Sequence, residues 1–194
     1  LDLCRTAREA GINPTLGCEF YVAPGSRFDR EVGSGDDRYY HLGLLDENNQ
    51  GYSNLMKIVS KAFVEGFYYK PRVDLELLEK YHEGIIALSA CLAGEVARYL
   101  ARGMYEDAKI AALRYQDIFG KGNFFLELQD HGIPEQKAVN TQLLRMSKET
   151  GIDLVATNDV HYTADITDHA SCRHRTKGHD LCNLIFAVFF HNVI

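Results

Sequence analysis

The stretch Thr157-Asn158-Asp159-Val160-His161-Tyr162 places a carboxylate and an imidazole two residues apart, directly after the apolar run 152–156. A glycine before this run and β-branched residues within it predict a short buried strand. Asp159 and His161 would then lie at the carboxyl end of that strand, where α/β folds place their chemistry. An Asp-x-His pair alone is a weak signal, so its weight depends on what the other strand ends carry.

In the rest of the chain, the spacing of apolar residues predicts strands that alternate with helices. The predicted strands cover residues 15–22, 40–45, 85–89, 123–128 and 153–156. The predicted helices cover residues 1–10, 51–67, 75–81, 94–102, 105–119 and 134–150, the third of them capped by Asp74. This alternation predicts an α/β fold with a largely parallel sheet.

Size and composition limit the classes of protein to consider. The chain has 194 residues and is 46% hydrophobic and 25% charged, a composition that predicts a globular domain. Its formal net charge of -6 means that no overall basic field attracts nucleic acid. No apolar run reaches membrane-spanning length, which predicts no membrane partner. The five cysteines are odd in number and scattered, which indicates a reducing, cytoplasmic compartment. Because Leu1 is not a methionine, we expect an N-terminal truncation.

Residue types that bind metals lie at or near several predicted strands. The candidates are Glu19, His41, Cys91, His131, Asp159 and His161. Carboxylate, imidazole and thiolate ligands on one rim predict a site for two or three metal ions, which would activate water and hold a phosphate. Other interpretations stay open: His131 as a hydrogen-bonded structural residue, Cys91 as a core thiol, and Glu19 as a paired carboxylate.

Three further patterns allow a functional and a structural interpretation. The basic and aromatic stretch 67–72 fits either a packed aromatic turn or a nucleic-acid contact, and the turn is favoured. Arg27 and Arg30 lie in a long polar loop and are expected to be solvated. Residues 172–182 hold two cysteines and two histidines, but their irregular spacing is a poor match to a zinc motif.

Several motifs, taken in order along the chain, resemble one known family. They are Gly17-Cys18-Glu19-Phe20-Tyr21-Val22-Ala23-Pro24, Tyr40-His41-Leu42, Leu88-Ser89-Ala90-Cys91-Leu92 and the stretches 65–72, 127–136 and 156–162. Together they resemble the PHP domain of the bacterial DNA polymerase III alpha subunit. The resemblance runs to Tyr162 and stops there, so we expect a partial PHP domain over residues 1–162. Residues 163–194 would form a non-matching tail, which is frame-shifted or artificial.

The resemblance implies an irregular seven-stranded (β/α) barrel of the PHP type, with its first strand or strands missing from this chain. It also implies a cluster of zinc or manganese ions, with ligands on Glu19, His41, Cys91, His131, Asp159 and His161. Asp159 and His161 would in addition serve catalysis. Such a site would support phosphoesterase or 3′–5′ exonuclease activity.

For the complete protein, the resemblance implies a DNA-directed DNA polymerase of DNA replication. That enzyme would use magnesium and would work with DNA and other replicase subunits. Two alternatives stay open: a non-catalytic scaffold that docks a separate proofreading exonuclease, and a stand-alone PHP phosphoesterase. We expect the present chain not to polymerise DNA and to bind metal weakly.

Overall fold

A computed structural model describes residues 2–31 and 38–159, with side chains from Cys4 onward. The helices are α1 (Asp2–Glu9), α2 (Asn49–Val64), α3 (Leu75–Lys80), α4 (Glu95–Ala101), α5 (Tyr105–Phe119) and α6 (Pro134–Thr150). The strands are β1 (Gly17–Val22), β2 (Tyr40–Asp46), β3 (Arg72–Val73), β4 (Ile85–Leu88), β5 (Phe124–Leu128) and β6 (Leu154–Ala156). His161 and the tail from residue 163 lie outside the described residues.

The strands of this part of the chain form one six-stranded mixed sheet in the order β3-β1-β2-β4-β5-β6. Strand β2 is antiparallel to both β1 and β4, whereas the remaining neighbours are parallel. The expectation of a largely parallel sheet therefore fails at β2. Parallel neighbours need a long crossover, whereas antiparallel neighbours do not, and no helix joins β1 to β2 in the described parts of their connection.

Alternation along β1 and β2 separates the core from the opposite face of the sheet. The core side of these two strands carries Cys18, Phe20, Val22, Tyr40, Leu42 and Leu44. Helices α2, α4, α5 and α6 contribute further apolar residues to the same core. Because successive side chains of a strand point to opposite faces, the residues between them are left for the other side of the sheet.

Polar caps fix where two helices begin. The Asn48 carboxamide oxygen accepts a hydrogen bond from the Gly51 amide at 3.0 Å at the start of α2. The Asp74 carboxylate accepts one from the Leu77 amide at 3.1 Å at the start of α3, as the sequence predicts. Both caps satisfy amides that the first turn of a helix leaves without an intrahelical partner.

The expectation that Arg27 is solvated is wrong. Its side chain is buried and contacts the Asp74 carboxylate at 2.8 Å and the Glu65 carboxylate at 2.9 Å. Asp74 is buried as well, so its charge needs a partner close by. Arg30 is not simply solvated either, since its guanidinium donates to the Glu65 backbone carbonyl at 2.9 Å. The two arginines hold the loop after β1 against the end of α2 and the start of α3.

Candidate metal centre

The candidate site begins on the face of β1 and β2 that points away from the core. Glu19, Tyr21 and His41 occupy the alternate positions of the two strands and are half-buried. Tyr21 lies directly opposite His41 in the antiparallel register, and Glu19 lies opposite Gly43. The period of two along each strand therefore brings a carboxylate and an imidazole onto one surface.

The loop after β4 brings Cys91 to this surface. The His41 amide donates to the Ala93 carbonyl at 3.1 Å, which ties the loop to the start of β2. Gly94 allows the loop to close, because a Cβ there would lie 2.1 Å from the Ser89 carbonyl oxygen. Ala90, directly before Cys91, has a φ of +62°, a left-handed backbone conformation that side chains other than glycine rarely adopt. Backbone strain of this kind is concentrated at functional sites.

The side chains of Glu19, His41 and Cys91, called here the triad, converge. His41 Nδ1 lies 2.9 Å from Glu19 Oε1 and 3.7 Å from Cys91 Sγ. One potential ligand atom from each residue lies within 4.8 Å of the other two. Carboxylate oxygen, imidazole nitrogen and thiolate sulfur are the donors that zinc accepts in proteins. The triad thus has the composition and the spacing of a metal site.

The charges of the triad depend on one another. Burial by itself lowers the pKa of His41, but hydrogen bonds to Cys91 and Glu19 and their charges outweigh burial and raise that pKa to about 10. Without a metal ion, these contacts therefore favour the protonated form of the imidazole. A metal ligand must be deprotonated, so an ion at the triad would displace this proton.

His131 follows β5 but does not join the triad. Its Nε2 lies 2.8 Å from the Asn158 carbonyl oxygen, and its Nδ1 lies 3.0 Å from the Gln136 side-chain nitrogen. The His131 amide also donates to Gln136 Oε1 at 2.9 Å. Both ring nitrogens therefore have protein partners here.

Asp159 comes three positions after the last residue of β6 and has a φ of +42°. It lies past the end of a strand, as its sequence position predicts. Among the described residues, the triad is the one group of three or more potential ligands whose atoms are close enough for a shared ion, and it does not include Asp159. His161 lies outside the described residues.

Glu127 is a residue of this region that the sequence motifs did not single out. It lies within β5, is buried, and accepts hydrogen bonds at Oε1 from Gln129 Nε2 at 3.0 Å and from the Thr157 hydroxyl. Burial is the main cause that raises its pKa, the charges of Asp159 and Glu19 add to it, and the hydrogen bonds oppose it. A lone acid within the apolar run Phe124–Leu128 was the available signal. The charges of Glu19, which belongs to the triad, and of Asp159 therefore both act on Glu127.

Two wider findings concern the whole described part of the chain. No disulfide joins Cys4, Cys18 or Cys91, the cysteines within it. None of its helices is both long enough and apolar enough to cross a membrane.

Comparison with known proteins places these features in a family. The PHP domain family matches residues 1–131. Among curated proteins, the chain is 51% identical over 152 residues to the DNA polymerase III subunit alpha of Treponema pallidum, covering 78% of this chain and 13% of that relative. The same subunit of Deinococcus radiodurans is 46% identical over 163 residues, covering 81% of this chain and 12% of the relative. That of Thermus aquaticus is 43% identical over 163 residues, covering 84% and 13%.

The chain therefore belongs to the PHP domain family, as its motifs indicated. It spans 12–13% of the length of these three polymerase subunits.

Proposed function

We propose that this chain carries the PHP metal centre of a replicative DNA polymerase III alpha subunit, and that Glu19, His41 and Cys91 bind a divalent cation there. The observation that carries the proposal is the convergence of the three potential ligand atoms within 4.8 Å. An isolated strand-end histidine or a core thiol would not need such neighbours. The mixed oxygen, nitrogen and sulfur donors favour zinc, with manganese as the alternative.

The residues of the chain divide the chemistry between them. A divalent cation at such a site lowers the pKa of a bound water and neutralises charge on a phosphodiester. Glu19 and Cys91 both face His41 Nδ1, so the three side chains would hold the ion in place of the proton on that nitrogen. Asp159 and His161 would add ligands and move protons during hydrolysis of a phosphodiester, as in a phosphoesterase or a 3′–5′ exonuclease.

The arrangement of carboxylates around the triad supports a cation at this place. Glu19 belongs to the triad, Asp159 follows β6, and the charges of both act on the buried Glu127. Several acidic groups directed at one region repel one another, and a divalent cation would relieve that repulsion. Asp159 would thus belong to the same site as the triad when the ion is bound.

We propose His131 as a further ligand, which would have to give up one of its present hydrogen bonds to bind the ion. Its two ring nitrogens are bonded to Gln136 and Asn158, so coordination would need one of these hydrogen bonds to be exchanged for a metal. We further propose that the complete domain is a seven-stranded barrel, that it extends through residue 162, and that residues 163–194 do not belong to it.

For the whole protein, we propose DNA-directed DNA polymerase activity in replication, with magnesium at a separate polymerase site. Its partners would be DNA and other replicase subunits, and it would act in the cytoplasm. This proposal rests on the DNA polymerase III alpha subunits to which the chain is similar.

A second candidate is a PHP domain without activity that serves as a scaffold, for example for a separate proofreading exonuclease. The hydrogen bonds of His131 favour it, because they occupy the nitrogens that a full ligand set would need. The two candidates differ in whether the triad binds metal.

Titration with Co²⁺ tests the main proposal. A thiolate ligand gives bound Co²⁺ an intense absorption band, which we expect for the purified chain and which Cys91→Ser should abolish. Cys4→Ser removes a buried thiol outside the triad and should leave the band unchanged. Absence of the band, together with no zinc or manganese retained in equilibrium dialysis, would reject the metal centre and support the scaffold.

A further inference from the structure

We propose that a recess beside the metal centre binds the end of a single-stranded DNA chain, with a base stacked on Tyr69 and phosphates on Arg38 and Lys70. The choice of DNA rests on the proposed function, whereas the site itself rests on its own geometry. The recess has a volume of about 170 Å³. The aromatic recess, as we call it, is lined by Arg38, Tyr39, Tyr68, Tyr69, Lys70 and Arg72.

The lining combines rings and cations without a carboxylate. Sites for single-stranded nucleic acid use this combination, because every base has a π-face and every nucleotide has a phosphate. The volume is below the roughly 300–1,000 Å³ of pockets that enclose a small ligand. A recess of this size suits one base or phosphate of a longer chain that continues over the surface. The formal net charge of the chain is -6, so this positive lining is a local departure.

Tyr69 is presented to solvent at a conformational cost. Its φ is +59°, and its side chain is 68% exposed. A bulky residue in the left-handed region costs on the order of 1–3 kcal/mol. The largely exposed ring has an edge-to-face contact with the Tyr68 ring, at 4.7 Å between centroids. The Tyr68 amide donates to the Lys70 carbonyl at 3.0 Å and closes the turn that carries the ring. A glycine would adopt this backbone conformation without strain, and the contact with Tyr68 leaves most of the Tyr69 ring open to a stacked base.

The buried side chain of Arg72 holds the turn 68–70 in place. It is 2% exposed, and its guanidinium donates to the backbone carbonyls of Asp29 at 2.6 Å and Gly66 at 3.3 Å. Arg38 lies over the Tyr69 ring at 5.5 Å, and Lys70 lies over the Tyr21 ring at 5.5 Å. The buried arginine thus fixes the shape of the recess, and the other two cations lie beside the rings on which a base would stack.

A row of rings joins the aromatic recess to the triad. Tyr39 belongs to the recess and lies 4.6 Å from Tyr21 between ring centroids. Tyr21 lies 5.2 Å from the imidazole of His41, and Tyr39 is stacked on that imidazole at 6.2 Å. A DNA end seated in the recess would therefore run along these rings, with its following phosphodiester directed at the metal centre.

Another exposed surface offers a matched control. Helix α2 also presents a tyrosine and a lysine, Tyr52 and Lys57, at the rim of an open groove. Tyr52 is 44% exposed, within a regular helix and without backbone strain. If any exposed tyrosine and lysine sufficed for DNA binding, changes at these two positions would matter as much as changes in the recess.

The test is the binding of a short fluorescent thymidine oligomer to the full chain, followed by anisotropy in EDTA. Tyr69→Gly removes the ring and relieves the positive φ, so the variant should fold. We expect it to weaken binding by about 5- to 150-fold, the equivalent of ~1–3 kcal/mol for one stacked base. Arg38→Gln combined with Lys70→Gln should reduce the slope of log affinity against log salt by about 0.7 for each lost phosphate contact. Tyr52→Ala and Lys57→Gln should leave both quantities unchanged.

Several results would overturn the proposal. They are no binding of the oligomer by the parent chain, equal losses in the recess and control variants, or an affinity that Tyr69→Gly does not change. Tighter binding of a uridine oligomer or of heparin would reject single-stranded DNA as the ligand. Because EDTA removes metal, the DNA-binding result does not depend on whether the triad binds Co²⁺. The Co²⁺ titration, in turn, does not depend on whether the chain binds DNA.

Discussion

His41 in the triad and His131 after β5 are both histidines beside strands of the sheet, yet they differ in what their rings contact. In the triad, His41 lies between a carboxylate and a thiol, at 2.9 Å and 3.7 Å. His131 instead lies between the amide nitrogen of Gln136 and a backbone carbonyl, at 3.0 Å and 2.8 Å. The first histidine has neighbours that are potential metal ligands, and the second has a carboxamide and a backbone carbonyl as neighbours.

This difference shows that a histidine at a strand end is not informative without its partners. Burial lowers the pKa of His41, but hydrogen bonds and charges of its partners raise it to about 10, whereas the ring of His131 contacts only a carbonyl and a carboxamide. The Glu127 carboxylate likewise has a partner within the protein, because it accepts a hydrogen bond from the Thr157 hydroxyl. The triad therefore groups three potential metal ligands, whereas both ring nitrogens of His131 have partners within the protein.

The largest expected difference between the two regions is in metal affinity. Glu19→Gln removes a charged ligand of the triad and should weaken Co²⁺ or zinc binding by at least about 100-fold, since even residues that only orient ligands cost 10- to 100-fold. His131→Gln should weaken it much less. Equilibrium dialysis of both variants beside the parent chain measures this order. Equal losses would show that His131 is a ligand and would remove the distinction between the regions.

A smaller effect is expected from opening the His131 side. Gln136 is buried and makes hydrogen bonds to both the backbone and the ring of His131. Gln136→Leu should lower the free energy of unfolding by about 1–3 kcal/mol, because it leaves polar groups of His131 without partners. Urea denaturation checks the change, with Gln142→Leu on the same helix as a control for the substitution. An unchanged midpoint would mean that these bonds do not hold the region together.

The smallest expected effect concerns Glu127 and has a defined pH dependence. Because burial raises its pKa in the folded state, the ionised form opposes folding, and stability falls as pH rises from its ordinary value through the raised one. Glu127→Gln keeps the acceptor oxygen and removes the charge. In EDTA it should raise the melting temperature at pH 8 by about 2–4 °C, the shift that ~1 kcal/mol produces in a domain of this size.

At a pH below the ordinary pKa of a glutamate, the Glu127→Gln variant and the parent chain should melt together, since both then carry a neutral group. A gain of the same size at acid and alkaline pH would contradict the electrostatic explanation. A melting temperature that falls at pH 8 would indicate that the ionised carboxylate is needed by Thr157 and Gln129.

Local patterns predicted much of the fold and part of the site. The Asp74 cap, the helix α6 that begins at Pro134, and the strand before Asp159 all depend on neighbours a few positions away. Strand β3 was missed, because two residues are too few for a periodic pattern. The family motifs named Glu19, His41 and Cys91 among six candidates, and the structure brings these three together.

Periodicity, capping and family motifs predicted the order of the helices and of every strand except β3, together with membership of the PHP family, because these signals are properties of short segments. Only the tertiary structure decided the direction of β2, the burial of Arg27, and the different surroundings of His41 and His131. Arg27 and Asp74 are 47 positions apart in the chain, and His41 and Cys91 are 50 apart. Contacts at such separations depend on how the whole sheet and its helices pack, and no local pattern encodes which distant charge will satisfy a buried group.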